Sequence, residues 1–450
     1  MDILSFLHNI GAGGQTIGAF VIALLVIVTV HEYGHYIVGR WVGIKADVFS
    51  VGFGPVLISR RDRYGTRWQI AALPLGGYVR FREDADPAST KSTPAAPPQR
   101  TASARTMHNA PLWARSATVI AGPVFNFILS ILLFAALALA SGRMSDELQV
   151  GALRDLPPPG PQMAYQILPG DRIVAIEQSP VPPPIGGDFE AFLSALPRAP
   201  LLEYQVLRDG QRLSLMGPHP RVAVVASVAP RSAAQEAGVQ AGDVITAVAG
   251  QPVVVFDDLR QVVEASGGQP LELTLWRGGE VHVVTIAARR VDEPQPQGGF
   301  ETHWRVGIIS DLAFVPARQP LGWADALEIG TQQTWDIIDT SLSAFLHIVR
   351  GAISSCNLSG VVSIAEVSAT MAQSGLQDFV FFIALLSTAI GLINLFPIPV
   401  LDGGHLLLYA YEAVVGRPPR DFALRILISI GLAAIISLFL LGLLNDLVWC

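Results

Sequence analysis

The chain has 450 residues, of which 51% are hydrophobic and 15% are charged, and its formal net charge is −7. This composition is too apolar for one large soluble domain and indicates a membrane protein. Because phosphate binding needs a basic face, the acidic balance excludes nucleic acid as a partner. The two cysteines, Cys356 and Cys450, form no CxxC pattern. We therefore expect neither a disulfide framework nor a cysteine zinc site, and we interpret both as incidental.

Four apolar stretches are long enough to cross a bilayer, which takes about 20 helical residues at about 1.5 Å each. They are predicted near 16–38, 113–141, 376–398 and 422–447. The segment after the first span is rich in Lys and Arg, whereas residues 1–15 contain none. The positive-inside rule therefore places that segment in the cytoplasm, and both termini and the long middle region outside it.

The regions between the spans differ in their patterns. Alternating apolar and polar residues predict strands directly after the first span, and a stretch rich in Pro, Ala and Ser predicts a linker after them. Gly-Asp turns at Asp171 and Asp243 each lead into an alternating strand, which indicates a duplicated β-rich module. The predicted organisation is a first transmembrane helix (1–45), a membrane-associated β-hairpin region (46–83), a flexible cytoplasmic linker (84–112), a second transmembrane helix (113–141), two β-rich modules (148–218 and 219–290), an amphipathic helical region (320–375) and two last transmembrane helices (376–450).

The clearest chemistry lies in His31, Glu32 and His35, which form an H-E-x-x-H pattern within the first span. On a helix, positions i and i+4 project from one face, so both imidazoles can bind one metal ion. Glu32 lies beside them and can take a proton from water. Three ionisable groups in one membrane turn are costly unless they pair or bind something, which argues against a chance match.

A catalytic zinc site needs a third protein ligand. The stretch from Asn394 to His405 contains two prolines and two glycines, so it breaks a helix at membrane depth, where irregular backbone is tolerated beside a cavity. Asp402 is the predicted ligand because a carboxylate neutralises the charge of Zn²⁺, and His405 is the alternative. The amide of Asn394 is a candidate donor to a developing oxyanion, or else it forms an interhelical hydrogen bond.

Together these motifs resemble the site-2 protease family of zinc intramembrane metalloproteases, in particular the bacterial regulator-of-sigma-E type with tandem PDZ domains. The resemblance rests on H-E-x-x-H, on GPVFN at 122–126, on the duplicated modules, on NLSG at 357–360 and on the motif that ends in Asp402. The chain departs from the family at Val361, where a proline is usual.

The resemblance implies a role for each candidate residue. It implies that His31, His35 and Asp402 bind Zn²⁺, that Glu32 is the general base, that Asn394 is catalytic, and that Asn394 and Pro397 shape the substrate site. The hairpin strand is expected to pair with an unwound substrate through Gln69, Ile70 and Ala71.

The expected fold is a polytopic α-helical membrane protein with about four transmembrane helices, a cytoplasmic-side membrane-associated β-hairpin and two extracytoplasmic β-rich PDZ domains. The expected function is that of a zinc endopeptidase of the bacterial inner membrane. Its expected substrates in regulated intramembrane proteolysis are single-span membrane proteins, such as a trimmed anti-sigma factor or remnant signal peptides. A metal transporter and a catalytically inactive PDZ scaffold are the alternatives, and neither needs the complete set of ionisable groups together with the modules.

Overall fold

We describe a computed structural model for residues 3–82, 106–107, 109–158, 164–184, 187–295, 299–354, 356 and 360–449. Most of the predicted linker, 84–112, lies outside these residues. The chain divides into two compact units. A helical unit comprises Met1–Leu137, Trp323–Leu346 and Ser355–Cys450, and a β-rich unit comprises Ala138–Gly322 and His347–Ser354.

Helices are numbered in chain order over both units. They are α1 (Ile3–Trp41), α2 (Leu112–Ser141), α3 (Gly187–Ala195), α4 (Ala233–Glu236), α5 (Phe256–Ala265), α6 (Trp323–Val349), α7 (Val361–Ser374), α8 (Leu376–Asn394), α9 (Asp402–Val415) and α10 (Asp421–Leu444), which continues into a π-helical turn (Asn445–Trp449).

Four stretches of these helices are long and apolar enough to cross a membrane, as the sequence predicts. They are Thr16–Trp41, Leu112–Ser141, Leu376–Asn394 and Phe422–Val448. The third ends earlier than predicted because Pro397 and Pro399 interrupt the chain after α8.

The core of the helical unit joins α1 to helices near the other end of the chain. Ala23 and Ile27 of α1 pack with Phe382 and Ile383 of α8, and α7 contributes partly buried side chains such as Met371. The long helix α6 also belongs to this unit. Its Gly330 faces α2 so closely that an added Cβ would lie 2.4 Å from the carbonyl oxygen of Ile131. The predicted amphipathic region therefore contains α6 and α7, and both pack against the spans.

The strands are also numbered in chain order. They are β1 (Ala46–Arg61), β2 (Arg67–Phe81), β3 (Arg143–Met144), β4 (Val150–Leu153), β5 (Arg172–Ile176), β6 (Ser179–Pro180), β7 (Leu201–Arg208), β8 (Gln211–Pro218), β9 (Val225–Val228), β10 (Val244–Val248), β11 (Gln251–Pro252), β12 (Pro270–Arg277), β13 (Glu280–Ala287), β14 (Arg289–Pro294), β15 (Phe300–Arg305), β16 (Ile308–Ser310), β17 (Phe314–Pro316) and β18 (Arg318–Gln319).

The predicted hairpin is more folded than a simple pair of strands. β1 and β2 both bend, so the first part of β1 (46–51) pairs with 77–81 on one side and with 67–70 on the other. The second part of β1 (56–61) pairs with the outer side of 67–71. The order across the sheet is therefore 56–61, 67–71, 46–51 and 77–81, so 56–61 and 77–81 are the edge segments and the other two lie inside.

Glycines make these bends possible. Gly52 and Gly54 in β1 have φ values of 88° and 83°, and Gly76 in β2 has a φ of 144°. Residues with a Cβ rarely adopt such angles, whereas glycine does so at no steric cost. Each of the two strands therefore changes direction at its glycines and contributes two segments to the sheet.

The β-rich unit contains two four-stranded sheets with the same plan. Their strand orders are β6-β5-β7-β8 and β11-β10-β12-β13, and a helix, α3 or α5, follows the second strand of each sheet along the chain. This agreement supports the duplication read from the Gly-Asp turns, whereas the assignment of the modules as PDZ domains stays a prediction.

Each of the two modules has a buried ion pair of its own at the predicted Gly-Asp turn. Asp171 and Asp243 have side chains that are each only 1% exposed, and each is held by an arginine through two hydrogen bonds. The partners are Arg208 and Arg277, which end β7 and β12, the third strand of each four-stranded sheet in chain order. An interaction repeated at matching positions links the duplicated sequence to duplicated packing.

The modules are interleaved along the chain, which the predicted boundaries 148–218 and 219–290 do not describe. β4 of the first module pairs with β17, and β9 of the second pairs with β16. Leu312, Ala313 and Phe314 lie in the first module's core, although they follow the whole of the second. The second module is thus inserted into the first. β3 pairs with β18 where the chain enters and leaves the β-rich segment Ala138–Gly322.

The expectation that both cysteines are incidental was wrong. Cys356 is disulfide-bonded. The other cysteine in the sequence, Cys450, lies outside the described residues.

Candidate metal centre

Three predicted ligands meet at one point of the helical unit. His31 and His35 project from one face of α1, and their Nε2 atoms are 3.1 Å apart. Asp402 approaches them from α9, with its Oδ2 atom 3.1 Å from His31 Nε2 and 3.5 Å from His35 Nε2. Within the described residues, these three form a group whose ligand atoms all lie within 4.8 Å of one another.

The loop between α8 and α9 brings Asp402 to the histidines. Asp402 is the first residue of α9, where a carboxylate is favoured by the helix dipole. Gly403 and Gly404 follow it, and a Cβ at either position would lie 2.2 Å from a loop carbonyl oxygen, that of Leu395 or of Ile398. Glycine is thus required for the loop to fold tightly under the helix start.

The alternative ligand, His405, is exposed and is not part of the cluster. Asn394 is half-buried, and its side-chain amide donates to the carbonyl of Ile390 one turn earlier in α8, at 3.0 Å. This bond is neither the predicted oxyanion contact nor an interhelical bond. Pro397 is exposed in the α8–α9 loop.

Glu32 lies next to the ligands and is held by the hairpin. Its Oε2 atom accepts a hydrogen bond of 3.0 Å from the backbone N–H of Val79 in β2. Gly77, two residues earlier, also lies next to it, since a Cβ there would be in ordinary contact with Glu32 Cγ, at 3.7 Å. The outer strand segment 77–81 therefore borders the candidate general base.

The predicted substrate residues lie elsewhere in the hairpin. Gln69 pairs with both Ser50 and Ser59, and Ile70 pairs with both Val51 and Ile58. A segment paired on both sides has no free edge to offer an extended peptide. Ala71 and Gln69 are also buried, at 4% and 5% exposure. The geometry therefore does not favour 69–71 as the pairing strand, and the edge segment next to Glu32 is 77–81.

Helix α2 supplies contacts that the sequence did not reveal. Thr118, Gly122 and Asn126 follow each other at intervals of four residues and so lie on one face. The Thr118 carbonyl oxygen is 2.8 Å from His35 Nδ1, and the Asn126 amide is 3.3 Å from His31 Nδ1. The GPVFN motif shows that Gly122 and Asn126 are four residues apart, but nothing in the sequence shows that these residues contact the histidines.

The residues present fit a zinc ion. Two imidazole nitrogens and one carboxylate form the donor set of many catalytic zinc sites. Asp402 Oδ2 is buried and makes no well-formed hydrogen bond, although both imidazoles lie close to it. Gly122 also leaves space for the rings, because a Cβ there would be 2.3 Å from His35 Nε2. A cation among these atoms would satisfy an otherwise unpaired buried carboxylate oxygen.

Two histidines and a glutamate on a helix apolar enough to span a membrane, with an aspartate beside both histidines, define a membrane-embedded metallohydrolase. The model of peptidase family M50 matches residues 19–438. The chain belongs to this family, which confirms the site-2 protease resemblance seen in its motifs. It is a zinc metalloprotease, and its cofactor is Zn²⁺.

Similar proteins match the chain over nearly its whole length. A protein of Rhizobium meliloti (strain 1021), named as a zinc metalloprotease, is 34% identical over 439 residues, which cover 96% of each chain. One of Agrobacterium fabrum (strain C58 / ATCC 33970), named in the same way, is 33% identical over 429 residues, 95% of this chain and 94% of its own. The regulator of sigma-E protease RseP of Salmonella typhimurium (strain 14028s / SGSC 2262) is 32% identical over 475 residues, 99% of each chain.

Proposed function

We propose that this metalloprotease is an endopeptidase that cleaves single-span membrane proteins within the bilayer. The observation that carries the proposal is the convergence of Asp402 with His31 and His35 beside Glu32, the last three on α1, a candidate membrane span. A transporter or an inactive scaffold needs no carboxylate at Glu32 held by the backbone of an edge strand, and the family assignment disfavours both.

His31, His35 and Asp402 would hold the zinc ion. When bound there, Zn²⁺ would supply Lewis-acid chemistry that makes a water molecule more acidic and draws charge from the scissile carbonyl. Glu32 accepts the proton of that water, and the Val79 N–H keeps its carboxylate oriented. Asn394 would assist the oxyanion only after its amide leaves the Ile390 carbonyl.

The substrate must be unwound before it is cut, because a helix hides its peptide groups in hydrogen bonds. An extended substrate segment then needs new partners for its backbone, since bare peptide groups are costly in hydrocarbon. We place this partner at the 77–81 edge of the hairpin, where strand addition would bring the substrate next to Glu32. This replaces the sequence-based choice of Gln69, Ile70 and Ala71.

The proposed setting is the inner membrane of a bacterium, with the basic segment after α1 in the cytoplasm and both termini outside. The interleaved modules would then be extracytoplasmic PDZ domains. The name of the Salmonella relative supports a trimmed anti-sigma factor as one substrate, and remnant signal peptides are the second candidate. Both would be consumed in regulated intramembrane proteolysis.

The test uses purified full-length protein and a fluorescently labelled single-span helix in detergent or bilayers. Cleavage should stop when a chelator removes zinc and return when zinc is added. Glu32→Gln should retain zinc yet lose cleavage, because the carboxylate moves a proton and does not ligate. Glu328→Gln, which changes an exposed carboxylate on α6, is the matched control and should behave as wild type. Full turnover by Glu32→Gln would refute the proposal.

A further inference from the structure

Both imidazoles at the metal centre have their second ring nitrogen directed at α2. A histidine that ligates through Nε2 carries a proton on Nδ1, so this nitrogen must donate a hydrogen bond if it is buried. The Thr118 carbonyl oxygen, 2.8 Å from His35 Nδ1, is an acceptor and meets this requirement.

His31 faces a different group. Its Nδ1 lies 3.3 Å from Nδ2 of Asn126, an atom that can only donate. The other amide atom, Oδ1 of Asn126, is buried and has no hydrogen-bond partner. The oxygen and nitrogen of an amide are assigned from the hydrogen-bond network, and turning this amide by half a turn would place an acceptor against His31 Nδ1.

We infer that Asn126 is the positioning residue for His31, and that it acts by accepting a hydrogen bond from His31 Nδ1–H through Oδ1. The inference rests on the proposed function, in which His31 ligates zinc through Nε2. It adds a residue on a second helix that selects the tautomer and orientation of this ligand, as the Thr118 carbonyl does for His35.

The surroundings of Asn126 suit such a role. Its side chain is 0% exposed, so water cannot replace the hydrogen bond. Its backbone carbonyl accepts from Ser387 Oγ at 2.9 Å, which ties this turn of α2 to α8 independently of the amide. Gly391 of α8 also lies close, because a Cβ there would be 3.1 Å from Asn126 Cβ. A substitution of the amide therefore changes the contact with His31 and leaves the backbone anchor in place.

Three variants separate an acceptor from a donor and from a packing role. Asn126→Leu keeps the size and removes both polar atoms. Asn126→Asp keeps the acceptor oxygens and cannot donate when ionised. Ser130→Ala is the matched control, since Ser130 is equally buried one turn further along α2 and bonds the Ala384 carbonyl of α8 instead of a histidine.

The measurement is zinc affinity in competition with a chromogenic chelator, together with the visible absorption of the Co²⁺-substituted protein. Asn126→Leu should lose about 10- to 100-fold in affinity and change the Co²⁺ spectrum, as expected when a partner behind a ligand is removed. Asn126→Asp should restore both, and Ser130→Ala should leave both unchanged.

Other outcomes would overturn the inference in distinct ways. Wild-type affinity in Asn126→Leu would show that the amide does not position His31, and failure of Asn126→Asp to rescue would show that it acts as a donor. An equal loss in Ser130→Ala would assign the effect to packing between α2 and α8. A wild-type protein that binds no zinc through His31 would instead refute the proposed function itself.

Discussion

Substituting Gly122 by alanine should weaken zinc binding by this protein while making α2 intrinsically more helical. In a helix interior, alanine is favoured over glycine by about 1 kcal/mol, so secondary structure alone predicts a stabilised protein. The added Cβ would, however, lie 2.3 Å from His35 Nε2 and 2.8 Å from His31 Cε1. Ordinary carbon–nitrogen contacts are about 3.5 Å, so the rings or α2 must move by about 1 Å.

A zinc site tolerates ligand displacements of only about 0.2 Å. We therefore expect Gly122→Ala to lose zinc affinity by about 100-fold and cleavage by at least as much. Chelator competition measures the affinity, and circular dichroism with thermal unfolding in zinc-free buffer measures the fold. Gly18→Ala is the control, because a Cβ at Gly18 in α1 meets nothing within 4 Å. If Gly122→Ala bound zinc as tightly as Gly18→Ala, the close approach of α2 to the imidazoles would be refuted.

Three further predictions concern elements around the centre. Arg115 of α2 and Glu412 of α9 form an ion pair with two hydrogen bonds, of 2.7 and 3.1 Å, and their side chains are only 14% and 17% exposed. Glu412→Ala should therefore lower the unfolding free energy by about 3 kcal/mol and weaken zinc binding. Thermal unfolding and chelator competition measure the two effects. Arg208 lowers the pKa of Asp171, so the stability from this pair is present above the pKa of the carboxyl in the unfolded chain and is lost as the pH falls through the lowered pKa. Arg208→Leu should therefore lower the unfolding free energy by about 3 kcal/mol at neutral pH and by little in strong acid. Hydrogen exchange measures both values. Residues 145–317 can be replaced by a short linker between the paired strands β3 and β18. If the modules act as a size filter, this variant should keep its zinc, still cleave trimmed substrate and also cleave untrimmed substrate. Loss of cleavage of the trimmed form would assign the modules to substrate capture.

The spans and the histidine motif were predictable because their signals are local. About 20 apolar residues suffice to indicate a crossing helix, and the spacing of His31 and His35 places both on one face whatever surrounds them. Asp402 was predictable for a chemical reason, since a third ligand was needed and a carboxylate followed the span that Pro397 and Pro399 interrupt. The exposure of His405 agrees with that choice.

The hairpin and the modules were harder to predict because their pairing is long-range. Alternation marked the strands correctly, but it cannot show that glycines at 52, 54 and 76 bend them so that Gln69 becomes a central rather than an edge residue. The boundary of the first module likewise depends on β17, which lies beyond the second module. Repeats in a sequence reveal copies, and they do not reveal that one copy is inserted into the other.

The metal centre also shows why a catalytic motif is incomplete without its neighbouring helix. His35 meets Thr118 and His31 meets Asn126, so the residues of α1 and α2 pair in opposite chain directions, with Gly122 between the two rings. The close approach depends on α1 as well, since a Cβ at Gly34 would lie 2.5 Å from the carbonyl oxygen of Ala121. The four-residue interval between the histidines on α1 is therefore matched by two such intervals, from Thr118 to Asn126, on an antiparallel α2. The x positions of H-E-x-x-H are constrained by this partner, and a sequence that kept both histidines but enlarged Gly34 or Gly122 would retain the motif without retaining the geometry that binds zinc.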